Sequence, residues 1–365
     1  MTTNSSHDIY WMRHALDLAA RGQFSTAPNP RVGCVIVKDN HFISGGYHAK
    51  AGEAHAEIHA LTIAGNNAHG ATIYVTLEPC AHYGKTPPCV DALIAAQPAR
   101  VVIAISDPNP LVAGKGIAKL KTAGIDVTLG VLEKEAYALN RTFFYRIKTH
   151  KPWVTLKLAA SMDGKTALAN GESQWITSEA ARKDVHYHRL QADAILAGTG
   201  SILIDNARLS ARYPTVLPRT NPLRVIIDSQ LKTPTNAAIF SELGPVLIVT
   251  TQTKNFPSYP KQAEIIPFKP NAQGKVPLSE LITYLGERGI NHIYVEAGAA
   301  LGGALINEKL INEIILYLAP TFLGAKARPL LQIPPLTCLS DKIQYRITDS
   351  LVIENDCRIT LEPIG

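Results

Sequence analysis

Two of the chain's five cysteines fall in one turn-rich stretch, EPCAHYGKTPPC (Glu78–Cys89), and EAHAEIHA upstream supplies His55 and Glu57. One imidazole and two thiolates suit Zn²⁺, and three protein ligands leave the fourth tetrahedral position for water, which marks a catalytic site. Such a metal lowers the pKa of its water to about 7. Glu57 would then shuttle the proton without being a ligand itself. Residues two apart do not share a helix face, so the helix must meet the metal end-on, with His55 at its tip. Each cysteine lies near an expected helix start, where the macrodipole favours a thiolate. A structural zinc is the other metal reading, with His82 or His59 as fourth ligand. A disulfide fits poorly, because five cysteines are an odd and low count.

The second half offers a weaker pattern. YVEAGAALGGALINE (Tyr294–Glu308) reads as a strand, a glycine turn and a helix. Its glycines would let a pyrophosphate approach a helix N-terminus or let two backbones pack closely, and both readings stay open. Arg189 and Arg212 could clamp a phosphate through paired guanidinium bonds or lie solvated at the surface.

The elements that must position these groups alternate between strand and helix, which indicates an α/β layer fold. Residues 12–19 repeat apolar side chains at helical spacing, and GCVIVKDNHFISGGYH reads as a hairpin turning at Asp39-Asn40. Helices are expected over His55–Ala64 and Cys89–Ala96, the latter entered through Pro87-Pro88. Strands are expected at ATIYVTLE and RVVIAIS, and a helix, a glycine stop and a strand in GKGIAKLKTAGIDVTLG. LEKEAYALNRTFFYRIKTH reads as one helix, ending before Lys151-Pro152 because the residue preceding proline disfavours helix. The boundary is placed there. A second pattern follows: PWVTLKLAAS a strand, TSEAARKDVHYHRLQADAILAG mostly helix, PLRVIID and GPVLIVTT strands, LSELITYLGERG a helix and HIYVEAG a strand.

At 365 residues the chain has room for two domains. Its 46% apolar and 18% charged residues are those of a globular protein. The N-terminal segment has no secretory pattern and no apolar run is long enough to span a membrane, so a reducing cytoplasmic location and no membrane partner are expected. The net charge of +6 suits a phosphorylated ligand. No basic run stands out, which argues against nucleic acid as a partner.

The H-x-E and P-C pairing is the signature of zinc deaminases, in which a nucleic-acid-editing enzyme would share the same chemistry. Those usually close with C-x-x-C, whereas here eight residues separate the cysteines. EPCAHYGKTPPC, PNPRVGCVIV (Pro28–Val37), GGYHAKAGEAHAE (Gly45–Glu57) and SDPNPLVAGKG (Ser106–Gly116) closely resemble the deaminase half of the bifunctional riboflavin-biosynthesis deaminase/reductases. LKLAASMDGKTA (Leu156–Ala167), GESQWIT (Gly171–Thr177), ILIDNARLSAR (Ile202–Arg212), RVIIDS (Arg224–Ser229) and VEAGAALGGALI (Val295–Ile306) resemble their reductase half.

The resemblance implies a cytidine-deaminase-like α/β/α domain over 1–147 and a dihydrofolate-reductase-like α/β domain over 151–365. It implies one Zn²⁺ per chain on His55, Cys80 and Cys89, with Glu57 as proton shuttle and Asn29 and His48 on the pyrimidine. Ser173, Arg189, Leu209, Arg212 and Glu296 would contact the phosphoribosyl substrate. Ala159, Trp175, Ser201, Asp205, Ser229 and the loop Gly298, Ala299, Ala300, Leu301, Gly302, Gly303, Ala304 would contact NADPH. Ser229 would face the 2′-phosphate, although Asp228 beside it is the residue type that an NAD site puts on the ribose. Deamination of a phosphorylated diaminopyrimidine, then reduction of its ribosyl group to ribityl, is the implied activity, in a homo-oligomer (dimer or tetramer). Lys157, Asp163, Cys34, Cys338 and Cys357 receive no role.

Overall fold

The structure is a computed structural model that describes residues 5–83, 87–109, 113–213 and 221–364. The chain separates into two compact units, with the division at His150/Lys151.

The first unit runs α1 (Ser6–Ala20), β1 (Gly33–Lys38), β2 (His41–Tyr47), α2 (Ala56–Ala64), β3 (Thr72–Val75), α3 (Cys89–Ala96), β4 (Arg100–Ile103), α4 (Lys115–Thr122), β5 (Asp126–Leu129), α5 (Glu133–Leu139) and α6 (Arg141–Thr149). Asp39 and Asn40 take positive φ values of 50° and 62°, which close the β1–β2 hairpin. The sheet order is β2-β1-β3-β4-β5. β1 is antiparallel to β2 and β3, and β3, β4 and β5 are parallel. Alternate strand residues point to opposite faces. Ile36, Ile73, Val101 and Ile103 pack against α2, α3 and α4, whereas Val35, Tyr74 and Val102 pack against α1, α5 and α6.

The single helix expected over 132–150 is two. It breaks at the buried Asn140, whose side chain accepts the Arg31 N–H (2.8 Å) and donates to the Arg31 carbonyl (2.8 Å). A residue that competes for backbone groups with its side chain ends helices rather than extending them.

The second unit contains β6 (Trp153–Ser161), β7 (Lys165–Ala167), α7 (Glu179–Gln191), β8 (Ala194–Gly198), α8 (Thr199–Asp205), β9 (Leu223–Ile227), β10 (Val246–Thr250), β11 (Ala263–Pro267), α9 (Leu278–Glu287), β12 (His292–Glu296), α10 (Ala299–Asn307), β13 (Glu313–Ala319), β14 (Arg328–Pro329), β15 (Tyr345–Ile353) and β16 (Asp356–Pro363). Its nine-stranded sheet has the order β11-β10-β9-β8-β12-β6-β13-β16-β15, and β14 pairs with β7 separately. The strands are parallel from β11 to β13, and β16 and β15 add antiparallel at the far end. The stretch 177–198 expected to be mostly helix ends its helix at Gln191 and turns into β8. Ala194–Ala197 are wholly buried between two strands, which favours extended backbone for a short apolar run.

Candidate active sites

In the first unit His55 is the residue that caps the start of α2, with extended backbone (φ −75°, ψ 164°), so the helix does point end-on at the site. Cys89 opens α3. Cys80 lies in the loop after β3 rather than at a helix start, which corrects the expectation for that residue. It reaches one through space, because its Sγ accepts the Cys89 N–H at 3.2 Å. The His55 Nδ1 stands 3.2 Å from the Cys89 Sγ and 3.7 Å from the Cys80 Sγ. The three donor atoms all lie within 4.8 Å of one another, a span that an ion with bonds of about 2.0–2.3 Å fills.

The electrostatics suit a cation. Hydrogen bonding from Cys89 pushes the Cys80 thiol down to about 4, and the same bond pushes Cys89 up. Burial pushes the Glu57 carboxyl up to about 7, and its Oε2 is buried without a partner among the described residues. Soft donors beside an unpartnered carboxylate oxygen fit an ion with a water next to it. Asn29 Nδ2 and His48 Nε2 lie 3.0 Å apart, and the His48 ring is 5.2 Å from the His55 ring, so His48 stands beside the centre and Asn29 beside His48. Burial lowers the His48 pKa, which favours the neutral ring. From SDPNPLVAGKG, the Asp107, Gly114 and Gly116 amides donate to the Glu78 carboxylate, two residues before Cys80; residues 110–112 lie outside the described residues, as do residues 84–86 of EPCAHYGKTPPC.

In the second unit, parallel pairing brings the carboxyl ends of β9, β8, β12 and β6 to one edge. Ligands of open α/β sheets bind along that edge. Ser229 follows β9, Ser201 and Asp205 lie on α8 after β8, the Gly298–Ala304 segment follows β12, and Ala159 is near the end of β6. Glu296 and Lys157 are register partners on adjacent strands. Arg189 grips the Glu296 carboxylate with Nε and Nη2 and donates from Nη1 to the Ser210 carbonyl (2.8 Å). Burial works against both ions, yet their pairing holds the Glu296 carboxyl below and the Arg189 cation above their usual ranges. Burial lowers the Lys157 pKa, and burial beside Arg189 and Arg212 pushes His186 down to about 4. The cluster carries excess positive charge, as a phosphate site requires. Arg212 is exposed and gives its backbone N–H to His186 Nδ1 (3.2 Å). Leu209 is buried with a φ of 50°. Ser173 is half-buried, and Trp175 is exposed under the Arg182 guanidinium, 4.4 Å from its ring.

A family model described as the cytidine and deoxycytidylate deaminase zinc-binding region matches residues 5–105, and one described as the RibD C-terminal domain matches 152–357. The riboflavin biosynthesis protein RibD of Escherichia coli K12 is 46% identical over 94% of this chain and 95% of its own length. The solved structure of Acinetobacter baumannii RibD superposes with a TM-score of 0.90 at 41% identity, covering 98% of this chain and 99% of that one. A Thermotoga maritima diaminohydroxyphosphoribosylaminopyrimidine deaminase/5-amino-6-(5-phosphoribosylamino)uracil reductase gives 0.88 at 31% identity, with the same coverage. The chain belongs to the RibD family.

Within that family frame the glycine segment divides. A Cβ on Gly303 would stand 1.9 Å from the Gln332 carbonyl oxygen, and one on Gly302 would meet Leu331 at 3.0 Å. Both are buried, and their missing side chains serve the packing of α10. Gly298 has nothing within 4 Å and sits where α10 begins. Asp228 is committed elsewhere: its buried carboxylate accepts from the Lys232 N–H (3.0 Å), the Thr233 N–H (2.7 Å) and the Thr233 hydroxyl (2.7 Å). Asp163 fastens the turn after β6 by accepting from Ser161 (2.5 Å) and from the Leu323 and Gly324 amides. Sequence reading missed His186, although it lies three residues before Arg189 on the same helix face. It also gave no sign that the Glu78 carboxylate accepts from amides as far along the chain as Ile117.

Proposed function

We infer that the chain runs two consecutive steps of riboflavin biosynthesis, zinc-dependent deamination and then NADPH-dependent reduction. It removes the 2-amino group of 2,5-diamino-6-ribosylamino-4(3H)-pyrimidinone 5′-phosphate and reduces the product's ribosyl group, giving 5-amino-6-ribitylaminouracil 5′-phosphate. The observation that carries the reading is the convergence of the His55, Cys80 and Cys89 donor atoms beside Glu57 in a chain of this family.

The proposed deaminase domain, 1–147, lies within the first unit. His55, Cys80 and Cys89 hold the zinc, which supplies Lewis acidity that makes water reactive near neutral pH. Glu57 takes the proton that the attacking water loses and delivers it to the departing amine. Its burial suits a group that must carry a proton at neutral pH. Asn29 and His48 hold the pyrimidine.

The proposed reductase is the second unit, over 151–365. NADPH supplies the hydride. Arg189, Arg212, Ser173, Leu209 and Glu296 hold the phosphoribosyl group, and the Arg189–Glu296 pair fixes each other's geometry. Ala159, Trp175, Ser201, Asp205, Ser229 and the open start of the Gly298–Ala304 segment orient the cofactor, so the work is alignment and exclusion of water. Ser229 Oγ accepts the Val276 N–H (3.2 Å) and can still donate to a 2′-phosphate. With Asp228 occupied, the acid that would favour NAD is not presented.

The proposed location is the cytoplasm, supported by five free thiols. Among the described residues no helix is long and apolar enough to cross a membrane. The proposed assembly is a homo-oligomer, a dimer or tetramer. Its support is the sheet edge at β15, where Ile347, Leu351 and Val352 are exposed. Sedimentation velocity decides it.

The function is tested by incubating purified protein with the diaminopyrimidine phosphate and NADPH while following ammonia and NADPH absorbance together. One ammonia per NADPH oxidised is expected, and NADPH loss without ammonia from this substrate would defeat the order of steps.

A further inference from the structure

Glu78 is a buried acid that neither step uses, two residues before Cys80 and 3% exposed. Its carboxylate accepts from four backbone amides. Oε2 takes the N–H groups of Asp107 (3.2 Å) and Gly114 (3.0 Å), and Oε1 those of Gly116 (3.0 Å) and Ile117 (3.3 Å). Gly116 and Ile117 are in the first turn of α4, where unpaired amides and the positive end of the helix dipole face an anion. The approach is close: a Cβ on Gly116 would lie 2.3 Å from the Pro79 carbonyl oxygen and 3.3 Å from Glu78 Cγ. Only glycine lets α4 sit this near the turn that presents Cys80. The Asp107 carboxylate in turn accepts the Asn109 N–H (2.8 Å). It is half-buried, and the charges of Glu78, His82 and Cys80 act on it.

We propose that Glu78 is a positioning residue of the deaminase: its carboxylate docks residues 107–109 and the start of α4 against the Cys80 turn, making that segment a fixed wall of the pyrimidine site. A mere helix cap would affect folding alone. A wall-setting residue acts on how the substrate is held. The inference rests on the reading of the metal centre as the deaminase.

The test is Glu78→Gln in the full, zinc-loaded chain. The amide NH₂ would face two of the four amides and release part of the wall. KM for the diaminopyrimidine phosphate should rise about tenfold while kcat stays within about threefold. Zinc content and reduction of supplied deaminated substrate should match the parent. Gly116→Ala pushes the same contact apart from the other side and should give the same split. Unchanged KM in folded, zinc-loaded Glu78→Gln would overturn the proposal, as would zinc and kcat falling together with KM unmoved. Should neither variant fold, amide exchange of the parent holoenzyme decides. The Gly114, Gly116 and Ile117 amides should slow several-fold on saturation with the deaminated product, and unaltered exchange overturns the proposal. A parent that releases no ammonia would instead sink the deaminase reading, and the inference with it.

Discussion

Glu57 and Arg212 give the sharpest residue-scale tests, because each is proposed for one step only. Glu57→Gln keeps the shape of the side chain but cannot take a proton. Deamination should fall by about 10²- to 10⁴-fold with zinc still bound, since a positioned acid/base contributes that much. Ammonia release at the parent rate would remove Glu57 from the mechanism. Cys80→Ser should lose the metal by elemental analysis, because a serine hydroxyl is a poor substitute for a thiolate that hydrogen bonding already holds near pKa 4. Arg212→Ala should raise KM for supplied deaminated substrate about tenfold and leave deamination alone. Arg189 and Lys157 remain in that variant, so the cluster should still attract anions.

At the scale of elements, α10 and α7, which carry residues proposed for the reductase site, are held by different means. α10 sits so close to the 330–332 segment that Gly303 has no room for a side chain. Gly303→Ala should destabilise the second unit by about 1–3 kcal/mol, the usual cost of overpacking, read as a lower melting temperature with reduction impaired and deamination spared. α7 is pinned from behind by Asp184, which accepts from the Tyr317 hydroxyl (2.7 Å) and the Arg358 guanidinium (3.1 Å). Burial would raise the Asp184 carboxyl, but hydrogen bonds from His188 and Tyr317 win and hold it at about 2, below its ordinary 3.8. A depressed carboxylate stabilises the fold above its unfolded pKa, and that stability is lost as pH falls through the folded value. Urea midpoints should therefore decline as pH falls from about 4 to about 2, from the unfolded to the folded pKa of this carboxyl. Asp184→Asn should lower the midpoint at neutral pH and flatten that decline; an unaltered acid slope would count against the network.

For the whole molecule, the two sites belong to separate compact units and should fail separately. Prolonged chelation should abolish ammonia release and leave NADPH oxidation with supplied deaminated substrate unchanged. Loss of both on chelation, in protein whose melting curve shows the second unit folded, would contradict independent sites. NADPH should be preferred to NADH by at least about tenfold in kcat/KM, since the Asp228 carboxylate is committed to Lys232 and Thr233 and the proposed cofactor site then offers no acid for an NAD ribose. Equal values would defeat that claim.

The amino-acid sequence by itself determined the parts that local chemistry encodes. The donor types at His55, Cys80 and Cys89, the helix entered through Pro87-Pro88 and the hairpin at Asp39-Asn40 all follow from residue preferences over a few positions. The tertiary structure decided what depends on partners far along the chain. Asn140 breaks a helix because it finds the backbone of Arg31, and Cys80 meets a helix start that it does not precede. Asp228 is taken by Thr233, and Glu78 is taken by amides of residues 107–117. Gly303 looks the same in sequence whether a phosphate or Gln332 lies against it. Periodicity and turn chemistry fix the dihedral angles of a segment, whereas the identity of a buried group's neighbour is set only when the layers close and every polar atom must find a partner.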